Sequence, residues 1–259
     1  TTGLVTLTAY GLKTGVPFSD ELEEDAIIAL VPEIRSSLAR NAAQVIDDVL
    51  LNGDTTTANN INLDQTTISK SYAAYAHYLL GFDGLRHLPL VDNTSLRSDK
   101  NASADAAMLY LILGRLAKYG VARRRGEVVF ICDPRTSAAV MASASLTSQQ
   151  SFGDRATLSA GELREVIGIP WIRSDQMRVA STTGLVSSTT ANNTTGSVLL
   201  VNTSQWRVGF RRQITMEPYR EPGKGQTTMY VSFRIALTER TGTRSTARHT
   251  GLVYDITGI

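Results

Sequence analysis

The chain has 259 residues, of which 42% are hydrophobic, so it is long enough to bury a sizeable core as one large domain or two interleaved ones. Its formal net charge of +2 argues against a protein that coats DNA through a broad basic face, and its single cysteine, Cys132, excludes an intramolecular disulfide and a cysteine-rich metal site. Apolar stretches fall short of the roughly 18 residues that a membrane-spanning helix needs, so no membrane partner is expected.

The chain is predicted to begin with a strand. Apolar and polar residues alternate from Thr1 to Leu12, which is the pattern of a half-buried strand, and Gly15-Val16-Pro17 is expected to end it. Because Thr1-Thr2-Gly3-Leu4 looks like the interior of a strand, we expect that an N-terminal part was removed by processing or lies outside this sequence.

A short acidic helix and a long helix are predicted next. Ser19 or Asp20 can cap the short helix, and the acids of its first turns oppose the positive end of the helix. Pro32 is tolerated at a first helical position, so it should start or kink the long helix, which runs to about Leu51. Asn52-Gly53-Asp54 is expected to close that helix as a left-handed cap and turn.

The middle of the chain carries weaker signals until residue 105. We expect a polar turn over 55–62, a helix over 71–80 and a polar loop over 92–103. Apolar residues at helical spacing then predict a strong helix over 105–119, which Gly120 ends.

The second half is predicted to contain short helices and strands. Residues 181–197 are rich in Ser, Thr, Asn and Gly, which predicts a mobile loop without a buried anchor. This segregated mixture of helices and strands favours the α+β class. The predicted elements are a strand over 128–132, helices over 136–143 and 158–166, and strands over 169–172, 198–202, 213–219, 229–237 and 252–256.

The sequence contains no recognisable catalytic or metal-binding motif, so no catalytic residue, cofactor or metal ligand is predicted. His77, His87 and His249 are far apart in sequence, and each is interpreted as a surface or packing histidine. Residues 223–228 hint at a phosphate-binding loop, but the first glycine is missing at the needed spacing and the segment lies in a predicted hairpin.

Three further polar features are given structural interpretations. Cys132 follows the apolar run 128–131, so it is expected to be a small core residue. The basic run 123–125 is interpreted as a solvated loop. Asp47 and Asp48 are adjacent, so on a helix they point about 100° apart and cannot share one metal well; a solvated helix face is expected instead.

Several landmarks follow one another in an order that is typical of a known family. A threonine-rich strand leads into Val16-Pro17-Phe18-Ser19-Asp20-Glu21-Leu22, and a long helix closes in Leu50-Leu51-Asn52-Gly53-Asp54. A strand then continues into Asp133-Pro134-Arg135, and Val166-Ile167-Gly168-Ile169-Pro170-Trp171 comes before two long strands around a polar loop. This ordered set resembles the major capsid proteins of tailed bacteriophages, the Hong Kong 97 (HK97)-like fold family.

The resemblance implies an α+β subunit with two domains. A peripheral domain would combine 1–54, including the end of an extended loop, with about 206–245, and its long spine helix over 33–51 would lie on a β-sheet. An axial domain, a mixed sheet flanked by helices, would hold about 104–205 and the returning segment 246–259. Residues 55–103 would form a connecting loop or insertion, since this stretch is longer than the family's usual link. Only the returning strand of the family's extended loop is present, so the subunit crosslink of some members cannot be carried over.

The resemblance also implies a function. The chain would be a structural protein rather than an enzyme, and its copies would form the pentamers and hexamers of an icosahedral virion shell, assembled in the host cytoplasm. The shell would enclose double-stranded DNA without sequence-specific contacts, and portal, scaffold or decoration proteins are further expected partners. The alternatives are an encapsulin-type shell that encloses cargo enzymes and, more remotely, an unrecognised hydrolase.

Charged residues are expected to set the register between neighbouring subunits. Acids of the short helix would face basic residues of another copy. The resemblance implies that the loop 220–226 matches the family's peripheral loop, which meets its own copies near local three-fold axes. The predicted interface residues are Glu21, Glu23, Glu24, Arg123, Arg124, Arg125, Arg220, Glu221, Lys224 and Arg234.

Overall fold

The computed structural model describes residues 6–25, 30–56, 60–62, 77–143, 165–240 and 243–259. Three antiparallel strands form what we call the small sheet, in the order β1–β8–β7. Its strands are β1 (Tyr10–Ser19), β7 (Trp206–Glu221) and β8 (Gln226–Glu239).

The spine helix α2 (Leu30–Asn52) packs on the small sheet. Every second residue of β8 from Met229 to Leu237 is buried, and these side chains meet Leu38, Ala42 and Val49 of the helix. The period of two in the strand and the helical spacing in α2 therefore produce one shared core. A short acidic helix, α1 (Asp20–Asp25), lies between β1 and this helix in sequence.

Six strands form the large sheet, in the order β2–β9–β6–β3–β5–β4. The β2–β9 and β3–β5 pairs are parallel and the others are antiparallel, so the sheet is mixed. Its strands are β2 (Arg97–Ser103), β3 (Val128–Cys132), β4 (Glu165–Val166), β5 (Ile169–Arg173), β6 (Gly196–Asn202) and β9 (Thr250–Thr257).

Both faces of the large sheet are buried. Helices α3 (Ala106–Leu116) and α4 (Pro134–Ala142) share one core with it, and a second cluster around Leu51, Val129, Leu199 and other residues forms a separate core. Gly251 allows α3 to approach closely, since a Cβ there would lie 2.8 Å from Leu116. Among the helices that the structure describes, none combines the length and apolar character needed to cross a bilayer.

Short helical turns connect these elements. A π-helical turn covers Leu88–Asp92, and 3₁₀ turns cover Tyr78–Leu80, Thr94–Leu96, Ala117–Gly120, Thr190–Asn192, Thr203–Gln205, Pro222–Lys224 and Arg244–Thr246.

The predicted start of the short helix is confirmed. The Ser19 Oγ accepts a hydrogen bond from the Leu22 backbone N–H at 3.2 Å, so Ser19 caps α1. Helix α2 is described from Leu30, directly after residues 26–29, which lie outside the described part, so Pro32 as the start or a kink of the long helix stays a prediction.

The prediction that Gly15-Val16-Pro17 ends the first strand is wrong. Strand β1 runs through these residues to Ser19 and pairs with β8 along its whole length. A proline is tolerated here because β1 is an edge strand of the small sheet. The predicted strand residues 1–5 lie outside the described part of the chain.

The predicted polar loop over 92–103 is also wrong. Its second half is strand β2, which pairs in parallel with β9 from Arg97 opposite Leu252 to Ser103 opposite Thr257. The sequence concealed this strand because it lies at the edge of the large sheet, where polar side chains can remain in water. Residues 97–103 therefore belong to a sheet and not to a connecting loop.

The loop 181–197 has buried anchors, contrary to prediction. Val186 is only 2% exposed and forms a backbone bridge with Asn62, and Thr195 bridges Ala180. The segment is held by a few residues, while most of its other side chains face solvent.

Two predicted helices lie partly outside the described residues. Of the helix predicted over 71–80, the structure describes 77–80, where Tyr78–Leu80 forms a 3₁₀ turn. Of the helix predicted over 158–166, it describes Glu165–Val166, which is strand β4.

Candidate assembly surfaces

The β7–β8 hairpin ends in a compact charged tip. A 3₁₀ turn over Pro222–Lys224 leads into Gly225, whose φ of +57° is a left-handed conformation that favours glycine. Lys224 Nζ lies 2.7 Å from Glu221 Oε2, and this hydrogen bond raises the pKa of the lysine. The predicted pair Glu221 and Lys224 is therefore joined within one subunit.

Helix α1 lies against this tip. The Asp20 backbone N–H donates to the Gly225 carbonyl at 2.9 Å, and Asp20 Oδ2 accepts a hydrogen bond from Arg220 Nη2 at 2.9 Å. Hydrogen bonds from Arg220 and Thr227 hold the pKa of the Asp20 carboxyl below its usual range. We call residues 20–22 and 220–227 the tip patch.

The structure brings part of the predicted interface set into the tip patch. Glu21 is exposed beside Asp20, and Leu22 adds an apolar side chain that is 52% exposed. Glu23 and Glu24 belong to α1, but their side chains lie outside the described part. Arg234 is exposed in the middle of β8, opposite Gly11 and away from the tip in sequence.

The basic run 123–125 lies in a turn that leads into β3 and lines a groove. The Glu127 carboxylate accepts hydrogen bonds from the backbone N–H groups of Arg123 and Arg124, at 2.6 and 3.2 Å, and Arg125 forms an ion pair with Glu165. The three arginines are exposed, as predicted. The groove has a volume of about 630 Å³, and its lining also includes Lys118 and Arg240, so it carries mostly positive charge.

Edge strand β7 exposes large apolar side chains that sequence reasoning did not identify as an interface. The exposed fractions are 47% for Val208, 51% for Phe210, 41% for Ile214 and 55% for Tyr219. Several large apolar groups on one edge strand are typical of a surface that other chains cover. The sequence did contain a signal for this surface: β7 combines large apolar residues with four arginines, and a strand with so many charged residues cannot be buried on both faces within the subunit.

The turn after the spine helix is a dense polar structure. Gly53 does not adopt the predicted left-handed conformation; a glycine is required because a Cβ would lie 2.2 Å from the Phe82 carbonyl oxygen. Asn52 Nδ2 donates to Asp48 Oδ1 and to the Gln176 carbonyl, both at 2.7 Å. The turn therefore fixes the end of α2 against residues from distant parts of the chain.

The solvated face predicted for Asp47 and Asp48 is wrong for Asp48. This carboxylate is only 4% exposed and accepts hydrogen bonds from Tyr78 and Asn52, both at 2.7 Å. Asp47 is half-buried and accepts a hydrogen bond from Ser174 Oγ at 2.5 Å. Their directions on the helix differ as predicted, but both bind neighbouring side chains.

A buried charged cluster follows the same turn. His87 is 4% exposed, and its Nδ1 lies 3.0 Å from Asp92 Oδ2. Its Nε2 lies 3.5 Å from Asp54 Oδ1 and 3.9 Å from Asp83 Oδ1. Although burial alone would lower the pKa of His87, these carboxylates raise it to about 9. Burial alone would raise the pKa of Asp54, but its contacts with His87, Thr56 and Ile61 lower it to about 2.

Arg244 joins this cluster to the end of β8. Its Nη1 lies 2.6 Å from Asp83 Oδ2 and 3.2 Å from Asp92 Oδ2, and its Nε lies 3.1 Å from Glu239 Oε1. Burial raises the pKa of Glu239 to about 7 despite the nearby guanidinium. We call Asp54, Asp83, His87, Asp92, Glu239 and Arg244 the junction cluster, since its members link the end of α2, the end of β8 and the segment before β9.

The other two histidines and the cysteine agree with their packing interpretations. His249 is fully buried against Trp206 and Tyr119, and burial lowers its pKa to about 4. His77 is half-buried and stacks on Tyr78. Cys132 is buried in the core of the large sheet, and burial raises the pKa of its thiol to about 12, so it is not a nucleophile.

The fold is shared with proteins of known structure that include a capsid and an encapsulin complex. The capsid of an empty GTA particle matches with a TM-score of 0.58 and 14% identity over 98% of this chain and 75% of the other. A chain of Mycobacterium phage Che8 matches with a TM-score of 0.55 and 14% identity, over 94% of this chain and 70% of the other. The holo-SrpI encapsulin complex from Synechococcus elongatus PCC 7942 matches with a TM-score of 0.55 and 12% identity, over 97% of this chain and 74% of the other. At these identities the matches establish the HK97-like fold.

The sequence comparison defines the family. A spine helix on a small sheet beside a large mixed sheet is the HK97-like architecture. The phage capsid family model matches residues 1–240, so the chain belongs to the phage capsid family. No match was found among curated protein sequences. The resemblance seen in the sequence, the α+β class and the structural capsid role are confirmed.

Proposed function

We propose that the chain is the shell-forming subunit of an icosahedral phage head, in which its copies form pentamers and hexamers. The family match over residues 1–240 supports this role, and so does the likeness to a GTA capsid whose structure was computed with C5 symmetry. The observation that carries the proposal is the exposed apolar edge of β7, because a strand of this kind needs a partner. The chain acts through assembly and not through catalysis.

The two sheets take different positions in the proposed shell. The small sheet with α2 forms the peripheral domain, and the large sheet with α3 and α4 forms the axial domain. Strand β2, within the segment predicted as a connection, joins the axial sheet. The tip patch lies at the end of the peripheral hairpin, where copies from neighbouring capsomers meet.

The charged surfaces provide register in the proposed assembly. The basic groove offers a binding surface for acidic side chains of another copy, including the acids of α1. Within the tip patch, the exposed acid of Glu21 and the salt bridges of Arg220 and Lys224 present both signs of charge. A near-neutral chain of net charge +2 suits a wall that encloses double-stranded DNA without sequence-specific contacts.

The proposed particle is the virion head, assembled in the host cytoplasm with portal, scaffold or decoration proteins as further partners. An encapsulin-type shell is the second candidate, because the fold is also similar to that of an encapsulin complex. Both candidates are shells, so they differ in contents and not in subunit architecture.

Negative-stain microscopy and sedimentation of the purified full chain test this function. Rings of five or six subunits and closed particles are expected, and particles from infected cells should contain DNA. Particles that enclose protein cargo would favour the encapsulin function. A chain that stays monomeric at every concentration and salt, also with its other head proteins, would contradict a shell function.

A further inference from the structure

The junction cluster has the geometry of a metal centre. One ring nitrogen and two carboxylate oxygens, from His87, Asp54 and Asp83, all lie within 4.8 Å of one another. The chain segments that supply them are the turn after α2 and the segment just before the π-helical turn. We propose that these three side chains form a binding site for one divalent cation of the Zn²⁺ class.

The orientation of His87 is the observation that points to a ligand. The residue is 4% exposed, and among the described residues its Nε2 is buried without a hydrogen-bond partner. This atom points toward Asp54 Oδ1 at 3.5 Å and Asp83 Oδ1 at 3.9 Å, which is too far for good hydrogen bonds. Bonds of about 2.0–2.2 Å to a central cation place ligand atoms about 3–4.4 Å apart, so both distances fit.

The other ring nitrogen is already held. His87 Nδ1 lies 3.0 Å from Asp92 Oδ2, and Arg244 holds Asp92 in turn at 3.2 Å. A carboxylate on the far nitrogen of a metal-binding histidine fixes the tautomer and directs the lone pair of the near nitrogen at the cation. Asp92 and Arg244 therefore form a second layer of residues that orients the ligand His87.

Each carboxylate is also positioned through its second oxygen. Asp54 Oδ2 accepts a hydrogen bond from the Ile61 N–H at 2.9 Å, and Asp83 Oδ2 from Arg244 Nη1 at 2.6 Å. Oδ1 of Asp54 accepts hydrogen bonds from the Thr56 backbone N–H at 2.9 Å and the Thr56 hydroxyl at 2.6 Å. Oδ1 of Asp83 likewise accepts from the Thr55 backbone N–H at 2.9 Å and the Thr55 hydroxyl at 2.8 Å, so a hydroxyl that leaves frees one lone pair on each oxygen. These hydroxyls can rotate away when a cation binds, and the side chain of Asp83, 20% exposed, leaves a path for water as a fourth ligand.

The ligand types decide between cations. An imidazole nitrogen with carboxylate oxygens suits Zn²⁺ and its first-row neighbours, whereas Mg²⁺ and Ca²⁺ prefer oxygen alone. In the junction cluster three aspartates lie near a single arginine, so their negative charges are not balanced by Arg244 alone. Either a divalent cation or a proton on His87 can supply the further positive charge, and the experiment separates the two.

The experiment uses the unassembled full chain after treatment with a chelator. Calorimetric titration with ZnCl₂ should show one strong site per chain, and MgCl₂ should not compete. CoCl₂ should produce a visible absorption band that ZnCl₂ removes. In ¹⁵N NMR spectra, the Nε2 signal of His87 should shift on addition of ZnCl₂. Because these readouts use the wild-type chain, they do not depend on whether a variant folds.

Variants assign the site. His87→Asn should weaken Zn²⁺ binding at least tenfold, and Asp92→Asn, in the second layer, should weaken it less. His77→Asn is the matched control, since this half-buried histidine lies outside the cluster. Absence of a strong site, equal binding by wild type and His87→Asn, or an imidazolium at His87 that ZnCl₂ leaves unchanged would each overturn the proposal. The site lies within one subunit, so these outcomes do not bear on shell formation.

Discussion

The two sheets of this subunit are completed in different ways. In the large sheet, every residue of β6 is buried, and β3 and β9 are almost as enclosed, because helices cover one face and a second apolar cluster covers the other. In the small sheet, β8 is buried against α2 while edge strand β7 is exposed along most of its length.

In the proposed shell, this difference separates the part of the chain that folds for itself from the part that other copies would complete. A sheet with two buried faces gains its stability within the subunit. A sheet with an exposed apolar edge gains part of its burial only on assembly. We therefore expect substitutions in the large sheet to affect folding and substitutions on β7 to affect assembly.

The largest effect is expected for Phe130→Ala in β3. This side chain is fully buried and packs on Trp171, with ring centroids 5.4 Å apart. Its removal should lower the free energy of unfolding by about 3–5 kcal/mol. Urea unfolding of the unassembled subunit measures this free energy.

The matched control is Phe210→Ala on β7, which removes the same group from a site that is 51% exposed. It should lower the free energy of unfolding by less than about 1 kcal/mol. Equal losses would refute the comparison.

A smaller effect is expected at the junction of the two sheets. The pKa of Glu239 is raised to about 7 in the folded chain from an ordinary value of 4.5. Between these values the folded state keeps a proton that the unfolded state releases, so stability falls as pH rises from 4.5 to 7. Glu239→Gln should remove this fall, which is about 3 kcal/mol.

The measurement is urea unfolding of both proteins at pH 5 and pH 8. The difference in unfolding free energy between variant and wild type should be larger at pH 8. Contributions from other groups, including His249, whose lowered pKa of about 4 acts in the opposite direction, are present in both proteins. A difference that does not change with pH would contradict the burial of a protonated Glu239.

The two sheets also differed in how well their sequences predicted them. Strand β3 was predicted with its exact bounds because a continuous apolar run has few other structures open to it. Strand β2 was missed because an edge strand of the sequence Arg-Ser-Asp-Lys-Asn-Ala-Ser has no apolar periodicity. Its pairing with β9 depends on residues about 155 positions away in the chain, which local patterns do not contain.

The same limit applies to the polar sites. Sequence reasoning predicted the charged loop 220–226, but not that Arg220 would pair with Asp20 across 200 residues. It treated His87 as an isolated histidine because Asp54 lies on another segment, and because no local pattern showed that Asp83, four residues before His87, turns toward the ring. The domain division and the interface residues stay predictions that the assembly experiments test.

A third prediction concerns assembly with little change in folding. Val208→Asp with Phe210→Asp places two charges on the exposed edge of β7. Unfolding of the free subunit should barely change, whereas particle yield in a sedimentation assay should fall severely, because a buried unpaired charge is costly at an interface. Tyr110→Asp on α3, at a side chain that is 58% exposed, is the control on the large-sheet side and should assemble normally. Normal yield from the β7 variant would exclude this edge from the shell contacts.

The smallest effect on subunit stability is expected from charge reversal at the tip patch. Arg220→Glu with Lys224→Glu breaks the salt bridges to Asp20 and Glu221. The two basic side chains are 69% and 70% exposed, so the free energy of unfolding should barely change. If tips of several copies meet at one axis, the reversal concentrates like charges there, and particle yield should fall most at low salt, where repulsion is least screened. Sedimentation across a salt series, beside a thermal melt of the free subunit, measures both effects. Adding Asp20→Arg and Glu221→Lys restores each pair within the subunit in reversed polarity. Recovery of assembly in this fourfold variant would show that each tip needs only balanced charges within its own subunit. Continued failure would show that a neighbouring copy contacts these side chains and depends on the sign of their charge. Normal yield of the double variant at every salt concentration would show that the tip patch makes no electrostatic contact in the shell.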